Sequence, residues 1–154
     1  MRIGVIAIGK PGRGPEAQLA EDYARRATAA GRALGVGPVE LIDLEPKKAG
    51  KAPEAELILA AAEGAHLIAC DERGRAYGSR AFADHLASLR DQGERRLVFA
   101  IGGADGLDQG VLEAARSRLA VGPQTWPHAL ARAMLAEQIY RAVTIMAGSP
   151  YHRD

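Results

Sequence analysis

Residues able to do chemistry are concentrated at a few places in this 154-residue chain. The first is Gly102-Gly-Ala-Asp-Gly106. Glycines without Cβ let a ligand approach the backbone and permit positive φ. The spacing is not G-x-G-x-x-G, and no ribose-binding acid follows a new strand about 20 residues on. Gly9-Lys-Pro-Gly-Arg-Gly14 misses that spacing too, and no Walker loop exists. The loop reads equally as a tight turn between a strand and a helix. The second place is Gly122-Pro-Gln-Thr-Trp-Pro127. Two fixed φ angles stiffen it, and its backbone donors and acceptors need serve no strand partner. It can grip a purine ring, or it can be a rigid start to a helix with Trp126 filling core volume.

The third is the ending Tyr151-His152-Arg153, whose ring, imidazole and guanidinium suit a base and a phosphate; chain ends of this kind are also commonly frayed. Glu137 and Arg141 stand at i, i+4 in the favourable order, which explains both charges as a helix pair. His66, His85, His128 and His152 match no zinc spacing. No G-x-S-x-G elbow supports hydrolase chemistry. Cys70, the one cysteine, makes no internal disulfide; buried, it behaves as a small hydrophobe.

The elements that must position these groups alternate. Hydrophobic periodicity predicts strands over 2–9, 38–44, 66–70, 97–101 and 119–121. Helices are expected over 16–34, 53–63, 79–92 (capped by Ser79), 108–116 (capped by Asp108) and 127–147 (capped by Thr125). Asp71-Glu-Arg-Gly-Arg75 reads as a charged turn, and 148–154 as a tail. Strand–helix alternation implies an α/β domain, a parallel sheet flanked by helices on both faces. Ligands of such sheets bind beyond the carboxyl ends of the strands, where Cys70, Gly102–Gly106 and Val121–Trp126 converge.

The composition, 47% hydrophobic and 25% charged, is ordinary for a globular chain, and the length suits one domain over 1–154. A net charge of +1 excludes a strongly basic nucleic-acid mop or an acidic tail. The charge is uneven: +2 over residues 1–50, −3 over 51–110 and +2 over 111–154, which permits an RNA surface built from both ends. No apolar run approaches a membrane span, and no cleavable leader is visible, so a cytoplasmic, soluble protein is expected.

Taken together, Phe99-Ala-Ile-Gly-Gly-Ala-Asp-Gly-Leu107, Thr125-Trp-Pro-His-Ala-Leu-Ala-Arg132, Leu135-Ala-Glu-Gln-Ile-Tyr-Arg-Ala142 and Pro150-Tyr-His-Arg153 resemble one family. It is that of the ribosomal large-subunit (23S) pseudouridine N3-methyltransferases, in the SPOUT or α/β-knot superfamily. The resemblance covers essentially the whole chain and is most specific in its C-terminal half. It implies a deep C-terminal trefoil knot, which general topology rules would not suggest, and a homodimer acting on ribosomal RNA in the assembled ribosome. It implies S-adenosyl-L-methionine as methyl donor and no metal. Carried over by position, the donor contacts are Cys70, Gly102, Val121, Gly122, Pro123, Gln124, Thr125 and Trp126; relatives commonly have leucine where this chain has Cys70. The implied nucleotide grip is Tyr151 for stacking, His152 for hydrogen bonding or proton removal, and Arg153 for phosphate or developing charge. Arg132 and Arg141 would contact RNA or brace the dimer. Two other readings share the pattern: a non-catalytic RNA-binding relative, and a nucleotide-binding or receiver-like α/β module. The second calls for an acidic cluster at the ends of strands one and three, whereas strand one ends in Gly9-Lys10.

Overall fold

The computed structural model describes residues 1–10 and 12–153. Five strands form one wholly parallel sheet: β1 (Arg2–Ile8), β2 (Val39–Leu44), β3 (His66–Ala76), β4 (Arg96–Ile101) and β5 (Ser117–Ala120), in the order β2-β1-β4-β3-β5. The helices are α1 (Pro15–Gly31), α2 (Lys51–Ala61), α3 (Ser79–Asp91), α4 (Gln109–Ala114) and α5 (His128–Met146). A short 3-10 turn, Arg32–Leu34, follows α1.

Period-two alternation along the strands sends side chains to two cores. On one face Ile3, Val5, Ile68, Leu97 and Phe99 pack under α1, α3 and α5. On the other, Ile6, Leu67, Ala69, Val98 and Ala100 pack under α2 and α4. Strands buried on both sides explain the nearly unbroken apolar runs. The expected sheet with helices on both faces is therefore present.

Local details differ from expectation in three places. Asp71–Arg75 is not a turn that ends β3; the strand continues to Ala76, with a register shift between Cys70 and Arg75. Both Cys70 and Arg75 pair with Leu119, so the charged residues form an excursion between two pairings with β5. Gly74 makes that excursion possible, because a Cβ there would lie 2.6 Å from the Leu119 carbonyl carbon. Ser79 does not cap α3: the N-cap is Gly78, and the Ser79 hydroxyl lies 2.9 Å from Gln138 Oε1 on α5. Thr125 does not cap α5, which begins after Pro127 with no side-chain cap. Asp108 does cap α4, accepting from the Gly110 N–H at 2.8 Å.

Candidate active site

A cavity of about 600 Å³ opens where the carboxyl ends of β4 and β5 meet the register shift of β3. Its walls include Cys70, Gly102, Val121, Gly122, Gln124 and Thr125, with Trp126 beside them. Of the donor contacts implied by the resemblance, only Pro123 does not line it. Apolar Ile101, Leu119 and Leu135 form part of the wall, while the backbone of Gly102–Gly106 supplies polar groups.

The glycine loop is tightly folded on itself. Gly103 and Gly106 form an antiparallel bridge, and the Gly106 N–H donates to the Gly103 carbonyl at 3.0 Å. A Cβ on Gly102 would stand 2.6 Å from the Gly106 carbonyl carbon and 2.8 Å from the Leu107 nitrogen, both backbone atoms. Gly106 itself has φ of 77°. Glu54, one turn into α2, holds the loop from outside by accepting from the Gly103 N–H at 3.3 Å. Its partner lies 49 residues away, so spacing alone gives no cue to this contact. The second loop is fixed by the Trp126 indole, which donates to the Val121 carbonyl at 2.9 Å. Trp126 thus acts through its N–H as well as its ring, a use of the indole consistent with its partial burial.

Cys70 is half-buried against this wall, and burial pushes its thiol up to about 12. A thiol held neutral is a poor nucleophile, so the residue contributes shape. Because β3 continues beyond it, Cys70 lies at the register shift rather than at a strand end.

The tail is docked on α5 and α1. The Tyr151 hydroxyl donates to Glu137 Oε1 at 3.0 Å and lies 3.5 Å from the Tyr23 hydroxyl. Its ring meets Tyr140 edge-on at 4.7 Å, and the Arg141 and Arg26 guanidinium groups sit over it at 4.9 and 5.6 Å. Burial, then the bonds to Tyr23 and Glu137, raise the Tyr151 hydroxyl above the ordinary phenol range. Arg141 Nε donates to Glu137 at 2.9 Å, while its Nη1 lies 3.2 Å from His152 Nδ1. Arginine has no acceptor, so Nδ1 accepts and a neutral His152 ring carries its proton on Nε2. Arg153 is exposed. The i, i+4 pair of Glu137 and Arg141 exists as spacing suggests, but it also anchors the tail.

Tyr151, His152 and Arg153 do not line the first cavity. A second, more apolar cavity of about 580 Å³ lies between, sharing Leu119, Val121, Gly122 and Leu135 with the first and reaching Tyr23 and Glu137. Arg132, for which the resemblance implies RNA contact or a brace in the dimer, is committed within its own chain. It is 9% exposed and forms a two-point ion pair with Asp43 on β2, at 2.6 and 3.1 Å. A guanidinium buried in that pair fastens α5 to the sheet edge within one chain and leaves no face for RNA.

Among the other histidines, His128 lines the first cavity. His66 is buried at the opposite end of the sheet, 3.1 Å from Glu94. His85 stacks on Tyr77 at 5.3 Å, and burial first, then the charges of His66 and Arg75, lowers its titration range. Among the described residues no group of three or more His, Cys, Asp or Glu side chains is placed to hold a metal ion, and no helix is long and apolar enough to cross a membrane.

A doubly covered parallel sheet, with a glycine-loop cavity at its carboxyl edge, defines an α/β protein built to hold a small molecule. A family profile described as "Predicted SPOUT methyltransferase" matches residues 1–152, and the chain belongs to this SPOUT methyltransferase family. It is 66% identical over 154 residues, covering all of both chains, to the "Ribosomal RNA large subunit methyltransferase H" of Caulobacter sp. (strain K31). The protein of the same name from Phenylobacterium zucineum (strain HLK1) is 64% identical over 154 residues, again covering all of both chains. Among solved structures, a probable methylase family protein from Haemophilus influenzae Rd KW20 aligns with a TM-score of 0.57 at 15% identity, over 99% of this chain and 70% of that one. A probable methyltransferase from Bordetella pertussis Tohama I aligns with a TM-score of 0.52 at 15% identity, over 92% and 96%. Those two likenesses are of fold. Family membership selects the enzyme over the nucleotide-binding module.

Proposed function

We propose that this protein transfers the methyl group of S-adenosylmethionine to N3 of a pseudouridine in large-subunit ribosomal RNA. The observation that carries the reading is the meeting of Gly102 and the 121–126 segment around one cavity, in a chain 66% identical over its whole length to a ribosomal RNA large subunit methyltransferase. The cavity fits the donor. Its volume lies within the range of small-molecule sites, its apolar wall of Ile101, Leu119 and Leu135 suits a purine and thioether, and its tight backbone loops offer donors and acceptors. Cys70, Gly102, Val121, Gly122, Gln124, Thr125 and Trp126 would hold the donor, with Pro123 stiffening their loop.

Bound there, the donor would supply an activated methyl group to N3, its sulfur keeping the electron pair of the broken bond. The protein's share is alignment and charge. N3 must first give up its proton, which would pass to solvent, and the negative charge then spreads onto the flanking carbonyl oxygens. With Arg141 donating to Nδ1, His152 carries an Nε2 proton suited to such an oxygen, so hydrogen bonding is the role its geometry favours over proton removal. Arg153 offers an exposed cation for phosphate or developing charge. Tyr151 fixes the tail and would meet the base with what its internal partners leave open.

The assembled ribosome in the cytoplasm is the proposed setting, since the small net charge gives one chain little hold on naked RNA. We also assign a homodimer. Leu19 on α1 is 47% exposed beside the second cavity, which is lined by Leu130 and Met134 of α5, and burying such a face is what a second copy would do. The C-terminal trefoil knot belongs to the same reading. Methyl transfer from labelled donor into large subunits lacking the modification tests it: wild type is active, whereas His152→Ala and Arg153→Ala each lose turnover while keeping donor affinity. Full turnover in both variants overturns the tail assignment.

A further inference from the structure

The carboxyl edge of the sheet carries a second feature that the donor cavity does not use. The loops leaving β1 and β2 start side by side, with the Gly9 N–H donating to the Leu44 carbonyl at 2.9 Å. The first loop bears Lys10 and Arg13; the second bears Lys47 and Lys48 and leads to Lys51 at the start of α2. All five are exposed, and among the described residues none is ion-paired with a carboxylate. Several arginines elsewhere are matched: Arg2 with Glu40, Arg116 with Glu94, Arg118 with Asp71, Arg132 with Asp43. The two loops contain a single acid, Glu45, over 9–14 and 45–50. Lys51 lines the mouth of the donor cavity, so the cations run from the β2 edge up to the site of reaction.

We propose that this basic ledge is the track on which the RNA substrate's phosphates lie as the target nucleotide enters the cavity. The inference rests on the RNA reading above and adds which surface takes the backbone. Like charges grouped without partners repel one another, and an anionic chain relieves that repulsion. The loops hold no aromatic side chain on which a base would stack, so their grip is on phosphate and indifferent to sequence. The ledge positions the RNA, and the cavity and tail select the nucleotide.

The test is the combined variant Lys10→Ala, Arg13→Ala, Lys47→Ala, Lys48→Ala, with Lys51 kept because it lines the cavity. Donor affinity by calorimetry and thermal unfolding should match wild type. With unmodified large ribosomal subunits as substrate, KM should rise at least about tenfold at physiological salt, with kcat retained. The slope of log affinity against log salt should fall by about 0.7–0.9 for each phosphate that the variant no longer neutralises. A variant with lysines and arginine exchanged at the four positions should restore both. Wild-type KM and salt slope in the alanine variant would overturn the ledge alone. A wild-type enzyme that moves no methyl group into subunits would overturn the RNA reading and the ledge with it.

Discussion

Two walls of the first cavity are shaped by backbone: the folded glycines of 102–106 and the stiff 121–127 segment, each fixed by one side chain, Glu54 or Trp126. Around the tail the shaping groups are side chains: Glu137 receives Tyr151 and Arg141, Arg141 reaches His152, and tyrosines and arginines stack about them. At Gly102 the first arrangement tolerates no added atom, because the neighbours there are main chain. The second depends on charge and can be weakened by degrees. Under the proposed function the contrast is a division of labour, with a rigid socket for a constant donor and an adjustable clasp for the RNA.

Breaking the socket should have the largest effect. Gly102→Ala places a methyl group against the backbone of Gly106 and Leu107; overpacking of this kind costs about 1–3 kcal/mol. Donor binding should disappear by calorimetry at concentrations that saturate wild type, with a lowered melting temperature. Breaking the clasp should separate the two functions. Glu137→Gln removes the charge that holds Arg141 and Tyr151, and bonds to a charged group are worth about 1.5–3 kcal/mol. Turnover should fall ten- to a hundredfold while donor affinity stays within about twofold.

Trp126→Phe keeps the ring but removes the bond to the Val121 carbonyl, a loss of about 0.5–1.5 kcal/mol. Donor affinity should weaken about three- to tenfold, with the RNA KM unchanged. The smallest effect concerns neither region. Glu94, beside His66 and Arg116 at the amino ends of the strands, is held below the ordinary glutamate range, first by the His66 hydrogen bond and then by the Arg116 charge. The unfolded chain therefore takes up this proton first. The stability Glu94 provides is full above the ordinary glutamate range and is lost as pH falls through the lowered folded value. Acid unfolding followed by circular dichroism should be less steep for Glu94→Gln, with donor affinity at neutral pH unchanged.

The socket is more legible in the sequence than the clasp, for a physical reason. Gly102–Gly106 and Gly122–Pro127 are local signals, since glycine and proline limit the backbone wherever they occur, and strand periodicity already brings them to one edge. The tail's partners are distant: Tyr151 meets Tyr23 across 128 residues, and Arg132 meets Asp43 across 89. The resemblance assigns Arg132 to RNA or the dimer, and spacing gives no cue to the ion pair with Asp43 that buries it. Asp71–Arg75 misleads, because a charged run looks like a turn unless a pairing with β5 on both sides of it is known. Ser79 and Thr125 have the right chemistry for caps, but the chain reaches both helices through other residues, and Ser79 is used against α5 instead.

Whether the 102–106 and 121–127 loops make a donor socket is decided by calorimetric titration of the purified protein with S-adenosylmethionine, with NAD and ATP as controls. Saturable binding of S-adenosylmethionine alone is expected, and it should be lost in Gly102→Ala. Binding of NAD or ATP in its place, or undiminished S-adenosylmethionine binding in Gly102→Ala, would contradict the socket.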